Sequence, residues 1–262
     1  MRRIAAYTLA CAAIVPLMVG CAKRTERNED RTVAVNAQPV GKETGATVRN
    51  AIMGAQTSGP AAQTVAHQMD KQAQELAYEL PGARPWPVNL TDSRAVAEAV
   101  AGITRLDVLV HSAGVGLLGT VADTSADTWR HQFEVNVVAV AELTRLVLPA
   151  LRAARGRVIL VNSGAGRNAN PGWASYAASK FALRAFADAL RAEEEGHGVR
   201  VTSVFPGRTD TEMQRDVVRQ EGGVYRPERY LRAESVAGAV LLAVTAPDDA
   251  ALTELVLRPA AP

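Results

Sequence analysis

Apolar and polar positions divide the 262-residue chain into three parts. Ile4 to Gly20 is one apolar run, a polar stretch rich in Gly, Thr, Asn and Gln follows, and from about Ala77 short apolar runs alternate with helical periodicity. Runs of the kind shown by buried parallel strands are Trp86 to Asn89, Leu106 to Val110, Val158 to Val161, Gly198 to Phe205 and Leu252 to Leu257. Between them, Thr91-Asp92-Ser93 offers N-caps for a helix whose apolar face is Val96, Val100 and Ile103. A long helical pattern from Ala126 to Ala154 carries Phe133, Val137, Val138, Ala141, Leu143, Leu146 and Leu148 toward a core, interrupted by the amide of Asn136. Another helix follows a Gly/Asn/Pro-rich turn and reads to about Glu195, and Ser235 caps a last one with Val236, Val240, Leu241 and Val244. Strands alternating with helices predict an α/β fold, a parallel sheet wound on both faces by right-handed crossovers.

The length suits one such domain, expected over residues 77–262. A net charge of +2, with arginines spread over many segments, gives no basic surface of the kind nucleic acid requires. The N-terminus has a different logic. Arg2 and Arg3, the apolar run and Cys21 form the layout of an exported leader. Met18-Val19-Gly20-Cys21 resembles a bacterial lipoprotein signal over residues 1–21, which implies a lipidated Cys21 and a membrane tether; an uncleaved single-span anchor is the alternative. Both cysteines, Cys11 and Cys21, lie in this leader, so the body is expected to hold neither a disulfide nor a cysteine metal site. Residues 22–76 read as a polar, largely disordered linker with a short polar helix over His67 to Leu76. Together with the leader they resemble the N-terminal region of outer-membrane-protein-A-like lipoproteins.

The candidate chemistry lies between Val158 and Ala182. Tyr176 and Lys180 stand four apart on a helix, so phenol and ammonium share a face one turn from each other. A phenol with a pKa of about 10 is a poor base at neutral pH, and a neighbouring cation is expected to pull that value down. Ser163 follows the strand end, where open parallel sheets bind ligands, and its hydroxyl can hydrogen-bond a substrate oxygen whose charge changes. Lys180 is the only lysine after Lys71 in an arginine-rich chain, which sets it apart from a generic solvated charge.

Ser163, Tyr176 and Lys180, with Asn136 upstream and Pro206-Gly207 downstream, resemble the active-site pattern of the short-chain dehydrogenase/reductase family over about Leu80 to Pro262. The resemblance implies a Rossmann-like sheet and hydride transfer between NADP or NAD and a small-molecule alcohol or carbonyl substrate. It implies Tyr176 as acid/base, Lys180 lowering its pKa and holding the nicotinamide ribose, Ser163 orienting the substrate oxygen, and Asn136 supporting a proton relay. By family position, Asn89, Ala113, Gly114, Pro206, Gly207 and Thr211 lie on the cofactor side. His111-Ser112-Ala113-Gly114 stands where the family has Asn-Asn-Ala-Gly, with His111 expected in the loop on the adenosine side. Arg208 to Tyr230 falls where these enzymes cover their substrate. The family often pairs subunits through the helices holding Asn136 and Tyr176, and Phe181 and Leu183 are the apolar positions expected to be exposed for such a homo-oligomer.

The family's Gly-rich turn, Thr-Gly-x-x-x-Gly-x-Gly, has only a beginning here, Thr44-Gly45-Ala46, without glycines at the required spacing. The expectation is therefore a sheet whose first βαβ unit is missing or replaced, as in a chimeric chain, with cofactor binding impaired. A non-catalytic, membrane-tethered lipoprotein or scaffold with a reductase-like body is the rival reading. Location separates the two: cofactor chemistry places the chain in the cytoplasm, and use of the leader places it at a membrane.

Overall fold

The structure, a computed structural model, describes residues 88–260. The leader with Cys21, the 22–76 stretch with its short helix, Thr44-Gly45-Ala46 and the first βαβ unit therefore lie outside the described residues, as do Trp86 and Pro87 of the first expected strand. The described part of that strand, Val88 and Asn89, is not in a sheet and leads into a turn.

Four strands form one parallel sheet in the order β1 (Val108–His111), β2 (Arg157–Val161), β3 (Arg200–Pro206), β4 (Glu254–Leu257). Helices connect them: α1 (Ser93–Val100) precedes β1, and α2 (Ala126–Phe133), a π-helical turn (Glu134–Val138) and α3 (Ala139–Ala154) lead to β2. The helix α4 (Ala174–Glu194) joins β2 to β3, and α5 (Glu212–Gln220) and α6 (Ala233–Thr245) join β3 to β4. Asp92 caps α1 by accepting from the backbone N–H of Arg94 and Ala95, so the cap is the middle residue of the expected trio.

Alternation along the strands sends successive side chains to opposite faces. Leu109, Val158, Leu160 and Val201 pack on one side with Val96 of α1, Leu143 and Val147 of α3, and Leu183 and Leu190 of α4. Val108, Val110, Ile159 and Val204 pack on the other with Val240 and Ala243 of α6. Helices thus cover both faces, and the strands read as continuous apolar runs for that reason.

Several side chains depart from the expected faces. Val138 is exposed, because it stands two residues from both Asn136 and Val140, the inward row of its helix. Leu241 is also exposed; Val236, Ala237, Val240 and Ala243 form the buried stripe of α6, which begins at Ala233 and places Ser235 inside its first turn rather than at the cap. Phe181 is 42% exposed as expected, but Leu183, at 2%, belongs to the core, since two residues along a helix point to nearly opposite sides. His111 is not a loop residue. It ends β1, is buried, and bonds Thr144 Oγ1 through Nε2 at 2.9 Å.

One ion pair ties α3 to α4, the helix that carries Tyr176 and Lys180. Arg152, near the end of α3, makes two hydrogen bonds of 2.8 and 2.6 Å to Glu194 at the end of α4. The Glu194 side chain is 1% exposed, and a carboxylate that deep is tolerated because the guanidinium meets both oxygens. Among the described residues no helix is long and apolar enough to cross a membrane.

Candidate active site

The site forms where β2 ends. Asn162 donates from Nδ2 to the Lys180 carbonyl at 3.1 Å and accepts at Oδ1 from the Ser163 N–H at 2.8 Å, so one amide ties the strand end to the helix behind it. The turn Gly164–Gly166 then passes so close to α4 that a Cβ on Gly166 would stand 2.6 Å from Asn162 Oδ1 and 2.9 Å from the Lys180 carbonyl oxygen. Only glycine permits that approach. The result sets the Ser163 hydroxyl beside Tyr176 at the same cavity wall, close enough to oppose the effect of burial on the phenol. Trp173 packs edge-on against the Tyr176 ring at 5.8 Å, and Lys180 Nζ lies 5.9 Å from the same ring's centre.

A second wall comes from the loop after β1, held by two amides four residues apart. Asn136 accepts from the Val115 N–H at 2.9 Å and donates to the Val115 carbonyl at 3.0 Å and to Ser179 Oγ at 2.9 Å. Gln132 repeats the arrangement one turn earlier, accepting from the Leu117 N–H and donating to the Leu117 carbonyl and to Ser175 Oγ. The π-helical turn contains Asn136, a feature common at functional sites. Both amide hydrogens of Asn136 are engaged, so a relay through it would be left to the second lone pair of Oδ1. Gly114 sits directly above: a Cβ there would meet Asn136 Oδ1 at 3.1 Å and Lys180 Nζ at 3.4 Å.

These walls and the loop after β3 enclose a cavity of about 450 Å³ outside the carboxyl ends of the strands. Ser163, Tyr176, Lys180, Gly114, Pro206, Gly207 and Thr211 line it together. Asn136 stands behind the wall, while Asn89 and Ala113 are not part of the lining; the Asn89 Oδ1 accepts from the N–H and hydroxyl of Thr91 in the turn before α1. Thr211 caps α5, its Oγ1 accepting from the Gln214 N–H at 3.2 Å. The segment Arg208 to Tyr230 folds over this end of the cavity, with Met213 near Gly116 and Tyr176 and with Arg208 set over the Trp173 ring. Gln132, Asn162 and Gln214 were not expected from the sequence. The i,i+4 spacing of Gln132 and Asn136 matches that of Ser175 and Ser179, which is the one local sign of the clamp.

Electrostatics at the pair run against the expected direction. Burial pushes the Tyr176 phenol above its ordinary value, with the Ser163 hydroxyl opposing. Burial also lowers Lys180, to about 8. Desolvation disfavours both charged forms, and no hydrogen bond among the described residues joins the ammonium to the phenol. Between pH 8 and the ordinary lysine value of 10.5 the unfolded chain binds a proton that the folded chain does not, so stability rises with pH across that window; below it the burial cost stands in full. We therefore expect Lys180→Met to be more stable than wild type by about 2–3 kcal/mol at pH 7, with the gap closing by about pH 10. Urea unfolding at several pH values checks this, and a gap that stays constant contradicts it.

Residues 44–222 match the short chain dehydrogenase family. The chain belongs to that family. The match begins at Thr44, ahead of the boundary near Leu80, so the relationship takes in part of the stretch expected to be linker. The bovine dehydrogenase/reductase SDR family member 7B is 36% identical over 171 residues, 61% of this chain; the match spans about half, 53%, of that relative. An uncharacterized short-chain type dehydrogenase/reductase of Sinorhizobium fredii is 30% identical over 195 residues, 72% of this chain and 78% of the relative. Among solved structures, a short chain dehydrogenase from Burkholderia cenocepacia, in complex with NADP, superposes with a TM-score of 0.59 at 30% identity, covering 67% of this chain and 69% of that one.

Proposed function

We propose that this short chain dehydrogenase interconverts an alcohol and a carbonyl compound with NADP or NAD, and that Tyr176 gives and takes the proton. The observation that carries the reading is the convergence of Ser163 and Tyr176, with Lys180 one helical turn on, at the wall of a cavity outside the carboxyl ends of the strands.

The residues present fit the nicotinamide end of the cofactor. Gly114 leaves bare backbone beside Lys180 Nζ and Asn136, a position that a Cβ would crowd. Pro206, Gly207 and Thr211 line the same cavity. Lys180, Gly114, Pro206, Gly207 and Thr211 would hold the cofactor, which when bound supplies or accepts the hydride. The chain's own residues do the rest. Ser163 orients the substrate oxygen toward the phenol and stabilises charge developing on it. Because burial keeps Tyr176 protonated at neutral pH, the site is set to give a proton to a carbonyl oxygen, which supports reduction in that range. The clamp of Gln132 and Asn136 keeps the loop after β1 in place, so the cavity needs little rearrangement to accept its ligands.

Titration of the full chain with NADPH and separately with NADH, followed by nicotinamide fluorescence, tests the reading. Saturable binding in the micromolar range is expected for at least one of them. A folded chain that binds neither up to millimolar concentration overturns it.

A further inference from the structure

Two consecutive residues at the end of α5 tie that helix to the walls around Tyr176. Gln220 accepts from the Leu118 N–H at 2.8 Å and donates to the Gly116 carbonyl, 104 positions away, at 3.2 Å. The loop after β1 is thereby bonded on alternate residues, Val115 and Leu117 to Asn136 and Gln132, Gly116 and Leu118 to Gln220. Glu221 pairs with Arg208, whose guanidinium lies over the Trp173 ring.

What these ties hold beside the phenol is apolar. Met213, in the first turn of α5, lines the cavity and is 38% exposed. A Cβ on Gly116 would stand 3.7 Å from Met213 Sδ and 3.7 Å from Tyr176 Cε2, which fixes how near the thioether lies to the reacting group. Trp173 is half-buried, lines the same cavity and meets the Tyr176 ring edge-on at 5.8 Å. Uncovered indole and thioether surface gains by burial against an apolar part of a ligand, and methionine adapts to its shape. Among the described residues no aspartate or glutamate lines the cavity.

We infer that Met213 and Trp173 form an apolar slot beside the reacting carbon, and that the substrate is a ketone or secondary alcohol with an alkyl or aryl group seated there. Gln220 is then a positioning residue, which holds α5 so that Met213 stands at the slot. The inference rests on the oxidoreductase reading above. In reduction the hydride passes from the reduced nicotinamide to the carbonyl carbon and the proton from Tyr176 to the oxygen, giving the secondary alcohol; the apolar group makes and breaks no bond. The hydrogen bonds of Gln220 are exposed, so water replaces them when the side chain is removed, and α5 loses its register on the loop while the core stays folded.

Wild type, Met213→Gln and Gln220→Ala are compared as full-length chains. Their melting temperatures, their affinities for NADPH and NADH, and kcat and KM for straight-chain methyl ketones from butanone to octan-2-one are measured. Wild type is expected to gain about fourfold in kcat/KM for each added methylene until the slot is filled. Met213→Gln, similar in size but polar, is expected to lower the ratio of longest to shortest ketone about ten- to a hundredfold. Gln220→Ala is expected to lower the same ratio about three- to tenfold, through KM, with Tm within about 2 °C of wild type. A merely structural amide would instead lower Tm and scale all the ketones alike, and that outcome removes the positioning role. If Met213→Gln weakens cofactor binding about tenfold and leaves the ratio unchanged, the slot serves the nicotinamide and the substrate assignment falls. A wild type that binds cofactor but turns over none of the ketones, or all of them equally, sinks this inference alone. A folded wild type that binds no cofactor sinks the oxidoreductase reading and this one with it.

Discussion

Tyr176→Phe is expected to lower kcat/KM for alcohol–carbonyl interconversion by about 100- to 10,000-fold, the range that a positioned proton donor contributes. That corresponds to about 3–5 kcal/mol of transition-state stabilisation. The substitution is a clean one in this fold. Phenylalanine keeps the ring that packs edge-on against Trp173 and fills the same buried space, and only the hydroxyl beside Ser163 is lost. Ser163 keeps its other contact, accepting from the Ala165 N–H at 3.1 Å, so the end of β2 has no cause to move. Steady-state kinetics with circular dichroism on the same preparation make the comparison. An undiminished rate from a folded variant would remove Tyr176 from the chemistry and leave Ser163 and Lys180 without the role assigned to them.

The second large effect falls on stability and comes from a residue that does not reach the cavity. Asn136→Leu, close in volume, is expected to destabilise the chain by at least about 3 kcal/mol, since it leaves the Val115 N–H, the Val115 carbonyl and the Ser179 hydroxyl each short of a partner at about 1–3 kcal/mol apiece. Water reaching the half-buried loop offsets part of this at Val115, whereas Ser179 is fully buried and has no such relief. Ser179 does keep its bond to the Tyr176 carbonyl at 2.8 Å, which holds the cost toward the lower end. In thermal unfolding such a loss lowers Tm by roughly 6–12 °C for a chain of this size. A shift of under 2 °C would show that the clamp by Gln132 carries the loop alone. The double variant with Gln132→Leu is not expected to be additive, because both amides hold one segment.

What was legible in the sequence follows from the range of the interactions involved. The strand runs of β1, β2 and β3, the cap at Asp92, and the shared helix face of Tyr176 and Lys180 depend on residues within a few positions of each other, and periodicity reports such relations directly. The positions of Ser163, Pro206 and Gly207 at strand ends follow from the same patterns and a resemblance of motif. The partners of Asn136 and Gln132 on α4 lie 43 residues away, and no local spacing says which hydroxyl each amide will meet. Nor does a pattern of apolar positions say that Leu183 is inside and its neighbour Phe181 outside: that depends on where Leu190 and the strands β1 to β3 stand.

The titration of the site shows the division most clearly. From the sequence, a cation one turn from a phenol is expected to lower the phenol's pKa. In the fold both groups are desolvated, and burial moves the phenol up and the ammonium down to about 8. The sequence by itself determined the α/β alternation, the family pattern and which side chains could take part, because these are properties of order and spacing along the chain. Only the tertiary structure decided which of them meet and which way each pKa moves, because burial and hydrogen-bond partnership are set by segments distant in the chain.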